Sequence, residues 1–181
     1  MSQPHKSGEK FVGVSSKSPT DDVKQASIAQ GLSTYLDVMS QIERMHRLLL
    51  DVIKDEFARV RILEINPVQG LLLYNIGKSE VSAGELRTKG YYQGSNVSYN
   101  LRKLVDNGYM QYERNEADRR SVRVKLSPKG EQVHDLIVSM FAKIFTELVE
   151  KDIWTLSDCR QSRDNLLLME RYWSDQIRYI Y

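Results

Sequence analysis

The stretch SNVSYNLRKLVDNGYMQYERNEADRRSVRVKLSPKG, Ser95 to Gly130, decides how this chain folds. Its first part places Val97, Leu101, Leu104 and Val105 at helical spacing, and Gly108 stops the run. Tyr109–Arg114 then alternates weakly. Ser121–Leu126 alternates cleanly, with Val122, Val124 and Leu126 on one face and Ser121, Arg123 and Lys125 on the other. Between them lies the polar run Asn115-Glu116-Ala117-Asp118-Arg119-Arg120. The pattern predicts a helix followed by a β-hairpin with a charged, basic tip. Ser127–Pro128 reads as a cap with proline in the first turn of the next helix.

Working back toward the N-terminus, Asn66–Pro67 is a second cap-plus-proline pair. It opens a helix to about Ile76, with Val68, Leu71, Leu72 and Ile76 inward and Gly77 at its end. Ser82, with Glu85 three residues on, is a cap candidate for a short helix from Ala83 to about Lys89. Gly90 closes that helix and Tyr91–Gly94 forms a turn. The order helix, short helix, turn, helix, hairpin is that of a winged helix-turn-helix.

Outside this segment the pattern is helical. Ile28, Leu32, Tyr35, Met39, Ile42, Met45, Leu49, Val52 and Phe57 recur at spacings of three to five, and neither proline nor glycine interrupts Leu32–Ile65. So long an amphipathic helix cannot bury itself against one small domain, which points to a helical dimer interface or a long bundle element. Beyond Pro128 a helix carries Val133, Leu136, Ile137, Met140, Phe141, Ile144, Phe145 and Leu148. After a break near Asp152–Thr155, a last helix from Leu156 to about Ile177 is expected to bury some of Leu166, Leu167, Met169, Tyr172, Trp173 and Ile177. The expected class is mainly α with a small β-hairpin wing: a flexible arm (1–22), a helical dimerisation domain (23–65 and 128–181) and a winged helix-turn-helix (66–127).

Charge is distributed unevenly. The net formal charge is +2, yet Lys78–Lys129 holds 11 Lys/Arg against 6 Asp/Glu, whereas Gly130–Tyr181 holds 6 against 9. A basic middle with an acidic C-terminal part suits a module that faces a polyanion. The reading helix offers Ser95, Asn96, Ser98, Tyr99 and Asn100 for groove contact, because Ser and Asn can pair with base edges. Arg102 and Lys103 lie later in it and suit phosphates. Arg119, Arg120 and Arg123 of the wing suit the minor groove or its flanking phosphates, and Arg87 and Lys89 could clamp the backbone.

Other classes of function find little support. No phosphate loop, nucleophile elbow or zinc-protease motif is present, so an enzyme is not expected. Cys159 is the only cysteine, which excludes an internal disulfide, and the 3 histidines lack partners at metal-ligand spacing. No cofactor or metal is expected. The apolar runs are too short to span a bilayer and the first residues do not read as a secretory signal, so a cytoplasmic location is expected.

The run from Leu101 through Gly108-Tyr109, the wing residues Asp118, Arg120 and Ser121, and the following Leu126, Ser127 and Gly130 together resemble the MarR family of bacterial transcription regulators. The likeness covers about Asp22 to Tyr181. It implies a homodimer held by the first and last helices, and double-stranded DNA as partner. It also implies a repressor released by a small aromatic or phenolic anion, and a wing organised by Asp118. Two-fold symmetry adds a pseudo-palindromic operator with half-sites about one helical turn apart. Tyr35, Met39, His46, Arg61 and Tyr74 are the candidates for the effector cleft. Two features depart from the common pattern: the aromatic, glycine-bearing turn Lys89–Asn96 and the long N-terminal region. The rival function is a protein-interaction module that uses the winged fold without DNA.

Overall fold

The computed structural model describes residues 19–82, 85, 95–114 and 122–180. The chain divides into two compact units, Met1–Leu48 and Leu49–Tyr181. Among the described residues there are five helices: α1 (Pro19–Arg59), α2 (Pro67–Ile76), α3 (Ser95–Asp106), α4 (Pro128–Glu150) and α5 (Leu156–Ile180). Three short strands, β1 (Val81–Ser82), β2 (Met110–Arg114) and β3 (Val122–Leu126), form an antiparallel sheet in the order β1-β3-β2. No helix among the described residues is long and apolar enough to cross a membrane.

The first unit contributes the N-terminal part of α1. This helix begins at Pro19, inside the stretch expected to be an arm. Proline is favoured at the start of a helix, where its missing N–H costs no hydrogen bond. Within the unit Ile28, Leu32, Tyr35, Leu36, Val38, Met45 and Leu48 are exposed, and Met39 and Ile42 are half-buried.

The second unit holds the core. Ile53 and Phe57 of α1, Leu71, Leu72, Leu73 and Ile76 of α2, Leu101 and Leu104 of α3, Val124 and Leu126 of β3, and Val133 and Ile137 of α4 bury together. Phe57 lies on Gly70 of α2, where a methyl group would come within 2.4 Å of its ring. Helix α1 ends at Arg59 rather than continuing toward Ile65. Arg61 takes a positive φ of 61°, and the Ile62 N–H donates to the Phe57 carbonyl at 2.9 Å. That turn lets Ile65 enter the core.

The cap of α2 is reciprocal. The Asn66 side chain accepts the Gln69 N–H at 2.9 Å, and the Gln69 side chain accepts the Asn66 N–H at 3.0 Å. Helix α4 starts on Ser127, whose hydroxyl accepts the Gly130 N–H at 3.1 Å and donates to the Gly108 carbonyl at 2.6 Å. Helix α5 starts on Thr155, whose N–H and hydroxyl both donate to Asp158, at 2.8 and 2.7 Å. Those two bonds hold the Asp158 carboxyl below its usual range, the hydroxyl first.

Strand β1 is a finding the sequence did not announce. Val81 pairs with Val124 and Ser82 with Arg123, so Ser82 ends a strand. Val81 is buried, and the pairing covers one edge of β3. Helix α4 packs its first three turns on the core, through Val133, Ile137 and Met140. Beyond them Ile144, Phe145 and Val149 are exposed, as are Leu166, Leu167, Tyr172, Trp173 and Ile177 of α5, with Met169 half-buried. The burial expected of α5 does not occur within a single chain.

Candidate nucleic-acid interface

Helix α3 is anchored by Leu101 and Leu104, with Leu104 wholly buried, while Val105 packs at the core's edge. Its end is fixed by Gly108 at φ 75° and by the Tyr109 N–H, which donates to the Leu104 carbonyl at 2.8 Å. The helix therefore cannot roll without unburying leucine. Its opposite face exposes Ser98, Tyr99, Arg102 and Lys103, with the Lys103 ammonium 5.9 Å from the centre of the Tyr99 ring. Ser95 and Asn96 occupy the first turn, which carries no acidic residue.

Asn100 is set apart from its neighbours. It is half-buried, and its Oδ1 accepts from Gln69 Nε2 at 3.3 Å. Gln69 is 6% exposed and joins the cap of α2 to α3. Sequence reasoning took Asn66 as the cap and passed over Gln69. The spacing Asn66 to Gln69 is that of a capping box, and it was the available signal.

The base of the wing pairs Met110 with Leu126, Tyr112 with Val124 and Arg114 with Val122. Arg123 on β3 is half exposed and lies 3.6 Å from Glu80, an acidic neighbour also missed from sequence. Asp118, Arg119, Arg120, Arg87 and Lys89 lie outside the described residues. Lys78 is paired with Asp135 at 2.9 Å, which raises the lysine's pKa and lowers the carboxyl's. Its charge is thus partly spent within the fold.

Behind α3 a polar cluster ties the loop before α2 to the start of α4. Glu64 accepts from the Tyr109 hydroxyl at 3.1 Å and from Lys129. Asn107 Nδ2 donates to the Glu64 carbonyl at 3.1 Å, and Lys129 lies 4.1 Å from the centre of the Tyr109 ring. The Lys129 and Tyr109 hydrogen bonds hold the Glu64 carboxyl below its usual range. Burial, then the bond to Glu64, pushes the Tyr109 phenol up.

Of the effector candidates, Tyr35 and His46 are exposed and Met39 half-buried in the first unit. Arg61 and Tyr74 belong to the second, where Arg61 is exposed. The Tyr74 ring stacks on His134 at 6.0 Å and meets Phe141 edge-on at 5.2 Å. Among the described residues no group of three or more His, Cys, Asp or Glu could hold a metal ion.

Residues 65–130 match the winged helix DNA-binding domain family. A MarR transcriptional regulator from Methanosarcina mazei Go1 superposes with a TM-score of 0.60 at 20% identity, covering 75% of this chain and 96% of that one. The chain shares the winged-helix fold of that regulator. Streptococcus pneumoniae FabT in complex with DNA superposes on this chain at TM-score 0.59 and 21% identity, over 78% of this chain and 99% of FabT. The exopolysaccharide II synthesis transcriptional activator ExpG of Rhizobium meliloti (strain 1021) is 37% identical over 102 residues, which is 56% of this chain and 53% of ExpG. The chain thus spans about half the length of that relative. The matched family is that of a DNA-binding domain.

Proposed function

We propose that this protein is a DNA-binding transcription regulator that grips a pseudo-palindromic operator as a homodimer in the cytoplasm. One observation carries the reading: within the winged-helix segment, a helix pinned by Leu101 and Leu104 turns Ser98, Tyr99, Arg102 and Lys103 to solvent. A major groove admits such a helix, and those side chains suit base edges and phosphates. Ser95, Asn96 and Asn100 complete the reading face. Arg119, Arg120 and Arg123 serve the wing, Asp118 organises it, and Arg87 and Lys89 hold the backbone. FabT bound to DNA shares the fold, which supports the same use here.

Release by a small aromatic or phenolic anion, near Tyr35, Met39, His46, Arg61 and Tyr74, belongs to the same reading. Repression is its default sign. ExpG is an activator by name, so the position of the bound site relative to a promoter decides the sign for this chain.

Selection of bound fragments from a genomic duplex pool tests the reading, followed by affinity against salt on the recovered site. Retention should fall steeply, by roughly 10³-fold between 50 and 200 mM salt if six or more phosphates are neutralised. Failure to retain any duplex, together with salt-insensitive capture of a protein partner, would instead establish the interaction module.

A further inference from the structure

The hydrogen bonds behind the reading helix fix which way an amide points. A primary amide has one end that only accepts and one that only donates. The Asn66 backbone N–H can only donate, so the end of Gln69 that meets it at 3.0 Å is Oε1. The other end, Nε2, must then face Asn100, where Oδ1 accepts it at 3.3 Å. The same logic passes on once more. With Oδ1 of Asn100 turned to Gln69, its Nδ2 is the end directed away. Gln69 is 6% exposed, so water has little access to replace either bond.

We propose that Gln69 is a specificity-determining positioning residue, which holds Asn100 so that it offers a hydrogen-bond donor to DNA. The inference rests on the DNA-binding reading above and adds what Asn100 selects. An outward NH2 group matches a base edge with an acceptor: N7 or O6 of guanine, N7 of adenine or O4 of thymine. It mismatches the N4 amino group of cytosine, where donor would meet donor. The sequence bias at one position in each half-site is therefore set from the cap of a different helix, by a residue that does not itself reach the groove.

The test exploits the cap. Glutamate is an ordinary residue at the third position of a capping box, so Gln69→Glu keeps the bond from the Asn66 N–H and the start of α2. Its second oxygen faces Asn100 as an acceptor, which rotates the Asn100 amide and turns Oδ1 outward. Duplexes selected from a random pool by the full-length protein and by Gln69→Glu should differ at one position per half-site. The acceptor edge chosen by the parent should give way to a donor edge, cytosine N4 or adenine N6, with discrimination changing by roughly tenfold.

Asn100→Asp is the second variant. It keeps an acceptor for Gln69 and loses the outward donor, so it should lose the parent's preference at that same position while the others persist. Identical base preferences in the parent and both variants overturn the assignment while leaving DNA binding intact. The added carboxylate weakens both variants on every sequence alike, so the readout is relative base preference, and weakening with that preference unchanged at every position also overturns it. A parent that retains no duplex in a salt-dependent way removes the DNA-binding reading itself, and the assignment with it.

Discussion

At Gly130 a methyl group would stand 2.1 Å from the Tyr109 carbonyl oxygen, and that oxygen cannot retreat because it already accepts the Ser127 N–H at 3.0 Å. Two backbone segments touch there, the start of α4 and the start of the wing. Gly130→Ala should cost about 3 kcal/mol, at the upper end of overpacking effects. Gly31 is the counter-case: it lies within α1 with nothing within 4 Å of an added Cβ. Gly31→Ala should stabilise by about 0.5–1 kcal/mol through helix propensity. Urea midpoints of the two variants should move in opposite directions, and equal shifts would show that the contact at Gly130 does not constrain the fold. Residues of this kind were legible in unequal measure. Gly130 stands out in sequence as the last member of a Leu-Ser-x-x-Gly run, but the oxygen it clears does not. Ser98, Tyr99, Arg102 and Lys103 were readable as an outward face because exposure on a helix follows from the spacing of Leu101 and Leu104. The spacing from Asn66 marks Gln69 as a capping residue, but its bond to Asn100 was not legible, since a buried glutamine has the same letter as an exposed one.

At the scale of elements, local chemistry was legible and non-local pairing was not. Asn66–Pro67 and Ser127–Pro128 mark the starts of α2 and α4 as the structure has them, because a cap is satisfied within four residues. Strand β1 depends on β3, some 40 residues later, and two residues carry no period of their own. The end of α1 at Arg59 likewise follows from the need to bury Ile65. The cap of α4 also joins two elements, which makes its removal informative. Ser127 is buried, and its hydroxyl serves the Gly130 N–H of α4 and the Gly108 carbonyl after α3 at once. Ser127→Ala leaves both groups unpaired in a place water cannot easily reach, at a cost of about 2 kcal/mol. Ser127→Thr keeps the hydroxyl and should recover most of that stability. Thermal unfolding of the pair distinguishes this from a purely steric effect, under which the larger threonine would be the worse of the two.

At the scale of the molecule, the proposed dimer would cover apolar surface that one chain leaves open. Leu166, Leu167, Tyr172, Trp173 and Ile177 of α5 are each at least 40% exposed, and Phe145 and Val149 of α4 are similarly open. Monomeric proteins seldom carry contiguous apolar patches beyond a few hundred Å², whereas a stable dimer buries about 1,200–2,000 Å² in total. The core around Leu72, Leu104 and Ile137 lies elsewhere in the same unit and is already closed. Dimerisation and folding of the reading head should therefore separate. Leu167→Asp combined with Trp173→Asp should halve the mass seen by sedimentation equilibrium at micromolar concentration, with the helical circular dichroism of the unit largely kept. Operator affinity should fall by roughly 100-fold or more, because each half-site would then be bound without the gain of linkage. Affinity for a single half-site should change little, since α3 and the wing do not use these side chains. A parent chain that sediments as a monomer, or a variant that remains dimeric, would show that the exposed faces of α4 and α5 meet something other than a second copy.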